Sequence, residues 1–228
     1  MKIVKKLFQM VCLVALFLSA GFLIYHMVYL PMENRKLVAE LKGNFTESEA
    51  PGASGSEKKD QPAGRKCPVA AVDLVSLREQ YPDVQGWLTI PDTGIDYPVL
   101  QSEQENGEFY LKRNYKKEYD INGSLFLQAD CKVSESRNLI IYGHNMKNGT
   151  MFSDLKKYLN TDFLNSHRTV RLETADGVFL FTVSEVRRTN ISDAWYDRIT
   201  AEDGRHLILS TCHGSGKDGR LLIIAAET

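Results

Sequence analysis

The apolar positions along the chain change their period from segment to segment, and each change predicts an element. Residues 7–30 form a run of 24 residues with no Asp, Glu, Lys or Arg, long enough as a helix to cross a hydrocarbon core of about 30 Å. The triplet Leu18-Ser19-Ala20 loosely resembles a small-residue cleavage site, but the run continues for ten residues beyond it. A signal peptide has an apolar region of only about 7–15 residues, so an uncleaved transmembrane anchor is expected. Lys2, Lys5 and Lys6 precede the run. The positive-inside rule then keeps residues 1–6 in the cytoplasm and sends the remainder outside. Residues 32–41 stay compatible with a helix, while 42–66 become rich in Gly, Ser, Pro, Glu and Lys. The stretch 31–68 therefore reads as an extracellular stalk.

The folded unit is expected over 69–228. Between 69 and 81, Val72 with Val75 and Leu74 with Leu77 stand at helical spacing, and Pro82 follows as a stop. Beyond it, short runs of branched and aromatic residues recur between turn signals at 87–90, 97–101, 124–128, 138–142, 169–173, 178–187, 206–211 and 220–226. Eight such strands suggest a mainly β fold closed into a barrel. Ala175-Asp176-Gly177 supplies hairpin turn chemistry between two of them, and 106–113, 150–158 and 191–198 read as short helices on the connections.

Composition narrows the function. A formal net charge of −1 provides no basic face for nucleic acid, which is excluded as a partner. The four cysteines Cys12, Cys67, Cys131 and Cys212 lack the C-x-x-C spacing of a metal site. Cys12 falls in the membrane run, Cys131 reads as a small buried hydrophobe, and a Cys67–Cys131 disulfide stays open.

Cys212 stands at the end of the apolar strand 206–211, and a polar, Gly-rich loop leads from it to Arg220 at the start of the next strand. A hairpin of this kind places both at one rim. A guanidinium beside a thiol favours thiolate and can receive the oxyanion of an attacked carbonyl. A third uncharged strand ends in Tyr142-Gly143-His144-Asn145, and an imidazole serves as base and acid near neutrality. His213 is nearer to Cys212 in sequence, but successive strand residues point to opposite faces. From the residues alone, an inert core thiol beside a rim arginine remains the rival reading.

The strand Leu207-Ile208-Leu209-Ser210-Thr211-Cys212, the Arg eight residues later and the Tyr-Gly-His-Asn stretch resemble the sortase family of Gram-positive bacteria. The runs Ile95-Asp96-Tyr97-Pro98-Val99-Leu100-Gln101, Asn122-Gly123-Ser124-Leu125-Phe126 and 142–152 are similar to its class B branch in particular. The resemblance implies an eight-stranded sortase-type barrel and a membrane-anchored cysteine transpeptidase that needs no metal or cofactor. Cys212 would be the nucleophile, His144 the acid–base and Arg220 the oxyanion partner, with Ser210 and Tyr142 lining the substrate groove. The implied partners are secreted proteins bearing a C-terminal sorting signal and an amine of a peptidoglycan precursor or a pilin lysine. Class B members commonly carry a long helical insertion before the Cys-bearing strand, whereas 187–205 leaves room for a short one. The alternatives are a Cys/His cell-wall hydrolase, whose His usually follows a helix-start Cys, and a non-catalytic surface-binding barrel.

Overall fold

The computed structural model describes residues 2–46, 72–101, 106–199, 204–214 and 216–228. Helix α1 (Lys2–Ile24) passes through a π-helical turn (Tyr25–Tyr29) directly into α2 (Leu30–Asn44), so one helix runs from the apolar segment into the domain. Its apolar part is long enough to cross a membrane and is not buried by the rest of the chain. A short α3 (Leu74–Gln80) follows, begun by Asp73, whose carboxylate accepts from the Ser76 amide at 3.1 Å.

All eight expected strands form: β1 (Val84–Thr89), β2 (Asp96–Gln101), β3 (Leu125–Leu127), β4 (Asn138–Tyr142), β5 (Thr169–Thr174), β6 (Gly177–Asn190), β7 (His206–Cys212) and β8 (Gly219–Glu227). They close into a barrel in the order β1-β2-β3-β4-β7-β8-β6-β5. Two junctions, β2–β3 and β4–β7, are parallel, and the others are antiparallel. The connecting helices expected at 106–113, 150–158 and 191–198 are tight 3₁₀ turns at Phe109–Lys112, Phe152–Leu159 and Ala194–Asp197, and a further helix, α4, covers Thr161–Ser166.

Strand alternation sorts the buried residues into two cores. Leu88, Val99, Leu125, Leu127 and Ile141 belong to the main cluster, whereas their neighbours Trp87, Leu100 and Phe126 join Leu41 of α2 and Leu74 and Leu77 of α3 in a second one. The second cluster is sealed by polar ties. Asp96 accepts from Trp87 Nε1 at 2.8 Å and Thr89 Oγ1 at 3.0 Å, and pairs with Lys42 Nζ of α2 at 2.7 Å.

The first part of the expected stalk takes part in this docking. Residues 31–46 are packed on the barrel, with Pro31, Asn34 and Leu41 buried. Thr46 bridges Val72, and the Asp73 amide donates to Phe45 O at 2.6 Å. The residues that flank 47–71 therefore meet, and it is α2 that joins the barrel to the apolar helix. Leu37, Val38, Leu41 and Phe45 supply the apolar stripe that a solvated spacer would lack. The 47–71 segment itself, including Cys67, lies outside the described residues, and Cys131, its possible partner, is a free thiol.

Candidate active site

Register alone brings four of the five expected residues onto one face. Tyr142 of β4 is paired with Ser210 of β7, Ser210 and Cys212 are two residues apart on the same strand, and Cys212 is paired with Arg220 of β8. Paired residues on adjacent strands share a face, with Cβ atoms about 4.5–5.5 Å apart. The fifth, His144, follows β4 after Gly143, which continues the ladder by donating to Ser210 O at 3.2 Å and accepting from Thr211 Oγ1 at 2.7 Å. All five line one cleft of about 480 Å³, while His213 does not.

Cys212 is exposed and free, as a nucleophile must be, whereas Cys131 is fully buried. Loss of solvent pushes the Cys131 thiol up to about 11, so at neutral pH it stays protonated and inert. Gly219 permits the tight hairpin that joins Cys212 to Arg220, because a Cβ there would lie 2.1 Å from His213 O. The Arg220 guanidinium is oriented by donating Nη1–H to Lys217 O at 2.9 Å and to Gly219 O at 3.0 Å.

His144 Nε2 lies 2.8 Å from Leu111 O. A carbonyl only accepts, so Nε2 carries the proton and Nδ1 is the nitrogen left for proton exchange. Gly123 packs closely against that carbonyl: its φ of 62° is left-handed, and a Cβ there would fall 2.4 Å from Leu111 O. Gly123→Ala is therefore expected to destabilise the domain by about 2–4 kcal/mol, combining left-handed strain with the clash. Chemical denaturation measures this, and a loss below about 0.5 kcal/mol would show that the Leu111 carbonyl is not constrained.

A polar chain braces the loop after His144 from the side of α2. Asn34 Nδ2 donates to Asp120 Oδ2 at 3.0 Å, and Asn122 donates to Asp120 Oδ1 from N at 2.8 Å and from Nδ2 at 2.9 Å. Asn148 Nδ2 then donates to Asn122 Oδ1 at 3.0 Å. Asn145 completes the link to β7 by donating Nδ2–H to Cys212 O at 3.0 Å.

The wall of the cleft is aromatic and fixed. Tyr142 stacks on Tyr196 at 5.9 Å and donates to Gln128 Oε1 at 2.6 Å, while Gln128 Nε2 donates to Tyr196 O at 3.0 Å. The Tyr196 and Ser210 hydroxyls are hydrogen-bonded at 2.8 Å. Burial raises both phenols above their ordinary range, so they remain neutral donors. Gln128, Asn145 and Tyr196 were not singled out by sequence reasoning. Asn145 lies inside a motif already noted, but Tyr196 comes from a turn with no period, and nothing in its local sequence ties it to the cleft.

Comparison with known proteins agrees with this architecture. The sortase domain family model matches residues 88–228. Sortase B of Listeria monocytogenes is 38% identical over 159 residues, covering 69% of this chain and 59% of the relative. Sortase B of Staphylococcus aureus is 29% identical over 119 residues, covering 52% of this chain and 48% of the relative. The match thus spans about half to three-fifths of these relatives' own length. Among solved structures, a sortase B from B. anthracis superimposes with a TM-score of 0.63 at 28% identity, covering 86% of this chain and 97% of that one. One from Clostridium perfringens gives 0.58 at 27% identity, covering 68% and 98%. With a family model matching most of the barrel and relatives drawn from its class B branch, the chain belongs to the sortase family.

Proposed function

We propose that this protein is a membrane-anchored cysteine transpeptidase that cleaves a C-terminal sorting signal of secreted proteins and transfers the new carboxyl end to an amine. The observation that carries the reading is the facing pair Cys212 and Arg220 in a cleft that also receives His144. Residues 7–30 would hold the enzyme in the cell membrane, with residues 1–6 in the cytoplasm and 69–228 as the extracellular catalytic domain.

In the first step the Cys212 thiolate attacks the carbonyl carbon before the scissile bond, and the carbonyl electrons move onto an oxyanion that the Arg220 guanidinium receives. Collapse breaks the C–N bond as His144, which holds on Nδ1 the proton given up by the Cys212 thiol, delivers that proton to the leaving amine and leaves a thioester on Cys212. In the second step His144 removes a proton from the incoming amine, whose nitrogen attacks the thioester; the C–S bond breaks, and the Cys212 thiolate and protonated His144 are restored. Tyr142, Tyr196, Phe126, Leu111 and Ile191 line the groove in which an extended peptide would lie, and Ser210 fixes the Tyr196 hydroxyl there. The acceptor is an amine of a peptidoglycan precursor or a pilin lysine.

The test is to incubate the protein with sorting-signal peptides, with and without an added amine, and to follow the acyl-enzyme by mass spectrometry. Wild type is expected to form a thioester and to pass it to the amine in preference to water. His144→Ala should lower turnover by about 10²–10⁴-fold. Release to water alone would favour a Cys/His hydrolase, and no acylation with any peptide a non-catalytic barrel.

A further inference from the structure

We infer that the barrel sits directly on the outer surface of the bilayer, seated by the loop carrying Tyr119 and Ile121 in the lipid headgroup region beside the end of the anchor. The inference rests on the proposed anchoring by residues 7–30 and adds a second point of membrane contact.

The anchor and the docked helix are one continuous helix, since the π-helical turn Tyr25–Tyr29 leads into α2 without a break. Height along such a helix follows from its rise of about 1.5 Å per residue. Tyr25 stands five residues before the end of the apolar run, hence roughly 7–8 Å inside it. The loop reaches that level, because Tyr25, Leu30 and Glu33 on the helix and Glu118, Tyr119 and Ile121 on the loop line the same gap of about 460 Å³. A bilayer crossed by residues 7–30 therefore meets the loop at its interfacial zone.

The loop's side chains suit that zone. Tyr119 is 75% exposed and Ile121 39% exposed, two apolar surfaces side by side on a domain whose other large apolar residues are mostly buried. Tyr25 and Tyr29 stack at 5.3 Å on the facing helix, so the loop would extend an aromatic belt of the kind that marks the headgroup level. Charge does not drive the contact. Glu33 and Glu118 flank the gap, Asp120 is engaged by Asn34, and Lys117 is paired with Asp83 at 2.7 Å. A zwitterionic surface is thus sufficient as partner. The seat is also continuous with the cleft, because Asp120 and Asn122 of this loop brace the segment after His144. Lipid contact would fix how far the cleft stands from the membrane and which way it opens.

The experiment uses the full chain in phosphatidylcholine vesicles, with and without lipids brominated either near the headgroup end of their acyl chains, for the loop, or near the chain ends, for the middle of the span. Wild type gives the baseline, because Trp87 and Trp195 are both buried in the barrel. Tyr119→Trp adds a probe on the loop, and Phe17→Trp adds one in the span. The expected result is that the added Tyr119→Trp emission is blue-shifted and quenched by bromine, as is that of Phe17→Trp. If Phe17→Trp is quenched while Tyr119→Trp emits as in water and ignores bromine, the seat is overturned and the anchor stands. If neither is quenched, both fall together.

Discussion

Cys212→Ala is expected to abolish thioester formation and amine transfer, a loss of at least about 10⁴-fold, since no other group in the cleft replaces a missing sulfur nucleophile. Stability should hardly change, because the side chain is exposed at the end of β7 and lies in neither core cluster. Cys131 provides the internal control. It is buried with its thiol held up to about 11, so brief iodoacetamide treatment at neutral pH should modify Cys212 and spare Cys131. A peptide acyl group that persisted on the Cys212→Ala protein would remove Cys212 from the reaction.

Arg220→Lys carries the second large effect, a fall of about 10²–10³-fold in kcat/KM, comparable to deleting one oxyanion donor. Charge is retained, so the loss isolates geometry. The guanidinium spends Nη1–H on the Lys217 and Gly219 carbonyls and keeps further N–H groups in a fixed fork for the cleft. An ammonium satisfied by the same loop carbonyls has no comparable fork left. The folded state should be preserved, which thermal denaturation checks. Near-normal turnover would mean that the facing position of Arg220 is structural.

The two variants separate roles that the cleft combines. Cys212→Ala removes the covalent step, while Arg220→Lys leaves a nucleophile able to attack but with a poorly stabilised oxyanion. Residual slow acylation is therefore expected only in the arginine variant.

The strands were legible because their alternation is local. Residues 138–142 read as a strand and form one over the same bounds, Asn138–Tyr142. Strand β6 runs past its expected end at 187 to Asn190, since polar Arg188 and Thr189 still ladder with Leu221 and Arg220. Propensity does not register such pairing with a strand that is not next in the chain. The apolar run 7–30 was legible for the same local reason, whereas the docking of residues 31–46 was not. Its buried stripe meets a barrel face built by residues far along the chain, and a polar stretch after it reads as a spacer unless the pairing of Thr46 with Val72 is known.

For the candidate site, the sequence by itself determined the chemistry on offer: a thiol and a guanidinium flanking one hairpin, and an imidazole after an uncharged strand. Hairpin register follows from a short loop, so the facing of Cys212 and Arg220 was within its reach. Only the tertiary structure decided that the strand leading to His144 lies beside the one bearing Cys212, because β4–β7 is a parallel junction between strands 68 residues apart in register, Asn138 with His206 and Tyr142 with Ser210. The same holds for the Leu111 carbonyl that sets the protonated nitrogen of His144 and for Tyr196 in the groove wall. These contacts depend on barrel closure, a long-range condition met when every strand finds its neighbours at once, and no local pattern of residues encodes it.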